Sequence, residues 1–88
     1  MYTISSHVYR KHLQQGAGSR FNSKAILENC IEDTIEYPDS REELGDRLLL
    51  RKRFHDVIGR SRGQNVSSVV VIIKPDYQFV ITAYPSKN

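Results

Sequence analysis

His7 and His12 stand five residues apart near the start of the chain, with Arg10 and Lys11 between them. Imidazole titrates near neutral pH, and neighbouring cations can hold an anion, so this window has the ingredients of acid/base chemistry on a phosphate. On a regular helix, residues five apart point about 140° from each other. Both rings reach one small site only where the helix bends or ends, whereas His7 and Lys11, four apart, share a face. Taken alone, the window reads more simply as a polar surface.

Near the other end, Thr82 and Tyr84 are two apart in a strand-like segment and so project from the same face. Phe79, Ile81 and Ala83 alternate with them, which places the hydroxyls, with Val80, on the side away from the core. Two readings fit: ordinary half-buried strand alternation, or a pair of hydroxyls that position a phosphate. Between the two ends, Gly16-Ala17-Gly18-Ser19-Arg20 is a glycine-containing turn whose backbone N–H groups, with Ser19 and Arg20, can cradle an anion. It matches neither the P-loop nor the dinucleotide-binding glycine pattern, and it also reads as a plain helix–helix connection. Arg47, Arg51, Lys52, Arg53, Arg60 and Arg62 form a basic stretch in which Arg51 and Arg53 share a strand face. With Tyr77 and Tyr84 to stack on bases, such a sheet can grip single-stranded RNA. A basic edge that discourages strand-to-strand aggregation uses the same residues. His55 and Asp56 are adjacent, so on a strand they point apart, which disfavours a metal cluster.

The elements that must position these groups read as helices first and strands afterwards. Ser5 and Ser6 can cap a short helix through Leu13, ended by the glycines at 16 and 18. Asn22 or Ser23 can cap a second, in which Ile26, Leu27, Cys30, Ile31, Thr34 and Ile35 make one stripe at three- and four-residue spacing. Tyr37-Pro38 stops it, and residues 38–46 read as a polar loop. Strands are expected over 48–54, 57–61, 66–74 and 78–84, with Pro85 ending the last. The expected fold is α+β: two N-terminal helices packed on one face of a three- to four-stranded antiparallel sheet, the other face open.

The chain has 88 residues, room for a single domain over residues 1–88 with one modest core. Its one cysteine, Cys30, excludes an internal disulfide and a zinc site built on cysteine pairs. The longest apolar run, Val69 to Ile73, is far short of the roughly 20 residues of a membrane helix. Charge is segregated. Residues 1–27 hold four bases and no acid, 28–46 hold eight acids and one base, and 47–88 hold eight bases and two acids. That distribution fits an anionic partner met by the two basic regions, with the acidic segment turned away; a solvated surface of mixed sign fits it equally.

His7-Val8-x-x-Lys11-His12, then Gly16 and Ser19-x-Phe21, and finally Val80-Ile81-Thr82-Ala83-Tyr84-Pro85, resemble the motifs of small bacterial ribonuclease toxin domains over about residues 5–86. These are the C-terminal toxin domains of contact-dependent inhibition and related polymorphic toxins, grouped with barnase, EndoU, colicin-type and RelE nucleases; EndoU-like and bacterial RNase A-like branches are the nearest patterns. The resemblance implies a metal-independent endoribonuclease that cuts RNA, tRNA above all, to a 2′,3′-cyclic phosphate. By that resemblance His12, His7, Thr82 and Tyr84 are catalytic. Lys11, Arg20, Ser19, Arg51, Arg53 and Arg60 meet phosphate or RNA, and no metal or cofactor takes part. The chain has Gly18 where the EndoU-like pattern has a lysine, which leaves Lys11 or Arg20 as the cation. The resemblance further implies an acidic immunity protein as partner and no membrane anchor. It also implies that the domain is the C-terminal part of a secreted or cell-surface toxin, acting in a target cell's cytoplasm. Two other readings compete: a RelE-like nuclease that cuts mRNA only on the ribosome, and a non-catalytic RNA- or protein-binding module.

Overall fold

The computed structural model describes residues 2–13 and 18–87. Two helices and eight strands lie within them: β1 (Thr3–Ile4), α1 (Ser6–Leu13), β2 (Ser19–Phe21), α2 (Lys24–Glu36), β3 (Ser40–Leu44), β4 (Arg47–Arg53), β5 (Gly59–Ser61), β6 (Gln64–Val66), β7 (Ser68–Ile73) and β8 (Phe79–Ser86). The expected glycine turn at Gly16-Ala17 lies outside the described residues.

Both helices follow local chemistry. Ser5 Oγ accepts from the His7 N–H at 3.2 Å and opens α1. Its inward face carries Val8 and His12, four apart and both fully buried, while His7, Arg10 and Lys11 face solvent. Ser23 caps α2, its Oγ accepting from the Ile26 N–H at 3.1 Å. The stripe Leu27, Cys30, Ile31 and Thr34 is buried, and the Thr34 hydroxyl donates back to the Cys30 carbonyl at 2.6 Å. Pro38 biases Tyr37 away from helical geometry, and the helix ends with the Tyr37 N–H on the Asp33 carbonyl.

The strands form two sheets. One is five-stranded and mixed, in the order β1-β8-β7-β4-β3, with β1 parallel to β8 and the other pairs antiparallel. The other is three-stranded and antiparallel, in the order β2-β5-β6. This overturns the expected fold of two helices on a three- to four-stranded antiparallel sheet. The physical reasons are specific. β1 and β2 have two and three residues, too few to show a period. β3 is an edge strand whose five residues are all exposed, so its composition reads as a loop although its backbone pairs fully with β4. The run 66–74 divides because Val66 joins β6 in the small sheet, while Ser68 onward joins β7 in the large one. β8 continues through Pro85, whose missing N–H does not end it.

One core joins these parts. Val8, Phe21, Leu27, Ile31, Leu50, Val69, Val71, Ile73, Val80 and Ala83 are fully buried in a single cluster that also takes Ile58 from beside the small sheet. On the large sheet, register gives the core side to Leu48, Leu50, Val69, Val71, Ile73, Val80, Ala83 and Pro85. Helices and core therefore lie on one side of the sheet. On the other, open side Arg51 and Arg53 are exposed and Leu49, Ile72, Thr82, Tyr84 and Ser86 partly so, while Val70 between Arg51 and Tyr84 is only 1% exposed.

Candidate nucleic-acid interface

The open side of the large sheet is ordered by register into rows. Leu49, Ile72 and Thr82 form one row, Arg51, Val70 and Tyr84 the next, and Arg53, Ser68 and Ser86 the third. Arg51 and Arg53 are roughly 7 Å apart along β4, and Arg51 is two strands, or roughly 10 Å, from Tyr84. Thr82, Tyr84 and Ser86 are half-buried, with no hydrogen bond on the Thr82 or Tyr84 hydroxyl among the described residues. The ion pairs among those residues, Arg41–Glu43, Arg47–Asp46 and Lys74–Asp46, leave both Arg51 and Arg53 without an acid. A cleft of about 180 Å³ at the third row is bounded by Arg51, Arg53, Ser68, Ser86 and Lys87. Asp39 also borders it, with its carboxylate accepting from the Arg53 backbone N–H at 2.7 Å. The face thus offers two guanidiniums with no ion pair among the described residues, the Thr82 and Ser86 hydroxyls and the Tyr84 phenol, a set suited to phosphate contact and base stacking.

The alternation expected for β8 needs one correction. Ile72 pairs with Thr82 but Ile73 pairs with Val80, so Ile81 is an extra residue in a β-bulge. The bulge reverses parity. Val80 turns into the core with Ala83 instead of lying beside the hydroxyls, and Phe79 is partly exposed. Ser86 belongs to the hydroxyl row as well; the 82, 84, 86 parity carries that signal once the strand is allowed to pass Pro85. Tyr77 does not reach this face. It packs against the core, on the helix side, in a turn conformation with φ +61°.

His12 is placed differently from the reading that made it an acid/base group facing RNA. It is fully buried, edge-on to Phe21 with ring centroids 5.3 Å apart, and its Nδ1–H donates to the Ser19 carbonyl at 2.9 Å. Its Nε2 has no hydrogen-bond partner among the described residues, although the Ala83 backbone lies close enough to favour the protonated ring somewhat. Burial outweighs this and, with smaller pushes from Lys11 and His7, lowers its pKa. A ring with no exposed surface cannot touch a phosphate in this conformation. His7 and Lys11 are exposed on α1, on the opposite side of the large sheet from Thr82 and Tyr84. The structure therefore separates the histidines from the hydroxyls.

Ser19, Arg20 and Arg60 lie in the small sheet. Arg20 pairs directly opposite Arg60, and Asn65 completes their row. Like charges placed directly across strands repel, and neither has an acid partner among the described residues; Arg60 donates to the Gly63 carbonyl at 2.8 Å. Ser19 faces the other way, its hydroxyl 3.0 Å from that of Ser61. Among the described residues, no group of three or more His, Cys, Asp or Glu can hold a metal ion. No helix among them is long and apolar enough to cross a membrane. No family model, curated protein or solved structure matches the chain.

Proposed function

We propose that this domain binds single-stranded RNA on the open face of its five-stranded sheet. The observation that carries the reading is the adjacent rows Arg51–Val70–Tyr84 and Arg53–Ser68–Ser86, with neither guanidinium in an ion pair among the described residues. Arg51 and Arg53 take successive phosphates and Tyr84 stacks a base. An acidic protein covering the open face would displace the RNA, which is the form an immunity partner would take. The test is titration of a labelled single-stranded RNA while amide chemical shifts are followed. Changes concentrated at residues 51–53 and 82–86, lost in Arg51→Ala/Arg53→Ala, support the reading; RNA binding that ignores these substitutions overturns it.

A second reading, metal-independent RNA cleavage to a 2′,3′-cyclic phosphate, is favoured by one observation: the unbonded Thr82 and Tyr84 hydroxyls stand on the same face as the guanidiniums. There the guanidiniums stabilise the charged phosphorane as the 2′-oxygen bonds to phosphorus and the bond to the 5′-oxygen breaks. Water takes the 2′-hydroxyl proton, and the Tyr84 phenol protonates the leaving 5′-oxygen and regains its proton from solvent. Incubating the full chain with total tRNA in EDTA tests it. Fragments ending in cyclic phosphate that vanish in Tyr84→Phe support cleavage. Intact tRNA at micromolar protein leaves binding as the function of this face.

A further inference from the structure

On the helix side, a groove of about 690 Å³ is lined by Tyr2, Tyr9, Tyr77, Glu28, Glu32 and Glu36. Ile4 and Ile35 complete its apolar floor. Its volume is that of a small-ligand or peptide site. The three glutamates recur every four residues along α2, a like-charge spacing that costs a helix stability when nothing neutralises it. Glu28 accepts from the Tyr9 hydroxyl at 2.8 Å, while Glu32 and Glu36 have no cation partner among the described residues. The rings already show what they attract: Lys24 Nζ sits 5.6 Å from the centre of the Tyr9 ring. Burial and Glu28 push Tyr9 up to about 12, and burial followed by the glutamates of α2 raises Tyr2, as expected beside concentrated negative charge.

A strand edge bounds the same groove. β1 pairs on one side only, its Thr3 and Ser5 N–H groups donating to the Gln78 and Val80 carbonyls of the turn and strand beside it. Its outer edge is unpaired among the described residues, and Tyr2 and Ile4, in and next to β1, line the groove. A free edge beside side-chain pockets is the arrangement by which an extended peptide adds to a sheet. We infer that this groove binds an extended basic peptide segment of a partner protein, its backbone along β1 and its lysine or arginine side chains between the tyrosines and glutamates. A free polyamine matches the charge but leaves the strand edge unused. This site lies across the core from the open face and does not rest on the RNA reading.

The experiment titrates the full chain with a hexapeptide of alternating lysine and valine, the same peptide with glutamate for lysine, and spermidine, by calorimetry and amide shifts. The expected result is micromolar binding of the basic peptide alone, with shifts at Tyr2, Ile4 and Ile35. Glu32→Gln/Glu36→Gln should weaken it about tenfold. That variant relieves repulsion on an exposed helix face, so it should fold at least as well as the parent; Tyr2→Leu tests the aromatic wall separately. Absence of binding at millimolar peptide overturns the inference, as does affinity unchanged in both variants or shifts confined to residues 51–53 and 82–86. Spermidine binding as tightly as the peptide overturns the peptide as occupant.

Discussion

At residue scale, His12 shows how a side chain with catalytic chemistry can serve as core. Its spacing from His7 and the charges around it are visible in the sequence; its burial is not, because Val8 and His12 share a helix face that only tertiary packing defines. His12→Ala should therefore cost stability, about 2–4 kcal/mol by urea denaturation, since it removes a buried ring and its bond to the Ser19 carbonyl. Full stability in that variant would remove the structural role. The lowered pKa adds a pH dependence. Below about 6.5 the unfolded imidazole takes a proton that the folded ring resists, so stability should fall with falling pH by up to ~1.4 kcal/mol per unit until the folded pKa is passed. His12→Gln should flatten that limb of the stability curve. Cys30 makes the complementary case: burial, then Asp33, push its thiol up to about 12. It should resist a thiol reagent at pH 8 in the native protein and react at once in denaturant; rapid native labelling would show that α2 opens readily.

At element scale, legibility follows local signals. The α2 stripe, a cap at Asn22 or Ser23 and the Tyr37-Pro38 stop can all be read from sequence because each acts within a few residues; the structure gives the cap to Ser23. β3 cannot, because pairing uses backbone that composition does not report, and neither can the Ile81 bulge, which depends on what Ile72 and Ile73 face. The hydroxyl face survives the bulge because the irregularity lies on the N-terminal side of Thr82. The union of the two sheets depends on a residue whose type alone gives no warning. A Cβ on Gly59 would collide with the Arg20 carbonyl oxygen and come within 2.9 Å of Pro85 Cγ and 3.0 Å of Phe21 Cα. Two of these three neighbours are backbone and cannot swing aside. Gly59→Ala should therefore destabilise by about 2–3 kcal/mol, read as a lower denaturation midpoint, through overpacking between the small sheet and β8. A midpoint within error of the parent would show that β5 can shift without loss.

At the scale of the whole molecule, charge segregation read along the chain becomes a partial segregation in space. Three acids of segment 28–46, Glu28, Glu32 and Glu36, line the helix-side groove, whereas Arg51 and Arg53 stand on the opposite, open side of the sheet. The separation is partial, since Glu42 pairs with Leu49 on the open side, Asp39 borders its cleft, and Arg10 and Lys11 are exposed on α1 on the helix side; summed charge therefore says little about partners. For RNA on the open face, neutralised phosphates release counterions, so affinity should fall with salt at a slope of about 0.7 per phosphate contact on a single strand. If Arg51 and Arg53 each take one phosphate, Arg51→Ala/Arg53→Ala should reduce the slope of log affinity against log salt by about 1.4. Tyr84→Leu should weaken binding by roughly 1–3 kcal/mol with the slope unchanged, because stacking releases no counterions. The measurement is a set of RNA titrations from low to physiological salt on the parent and both variants. A slope that stays constant when both arginines are removed would place the phosphates elsewhere, with the Arg20–Arg60 row of the small sheet the next surface to substitute. A slope that drops in Tyr84→Leu would mean the phenol holds the backbone rather than a base.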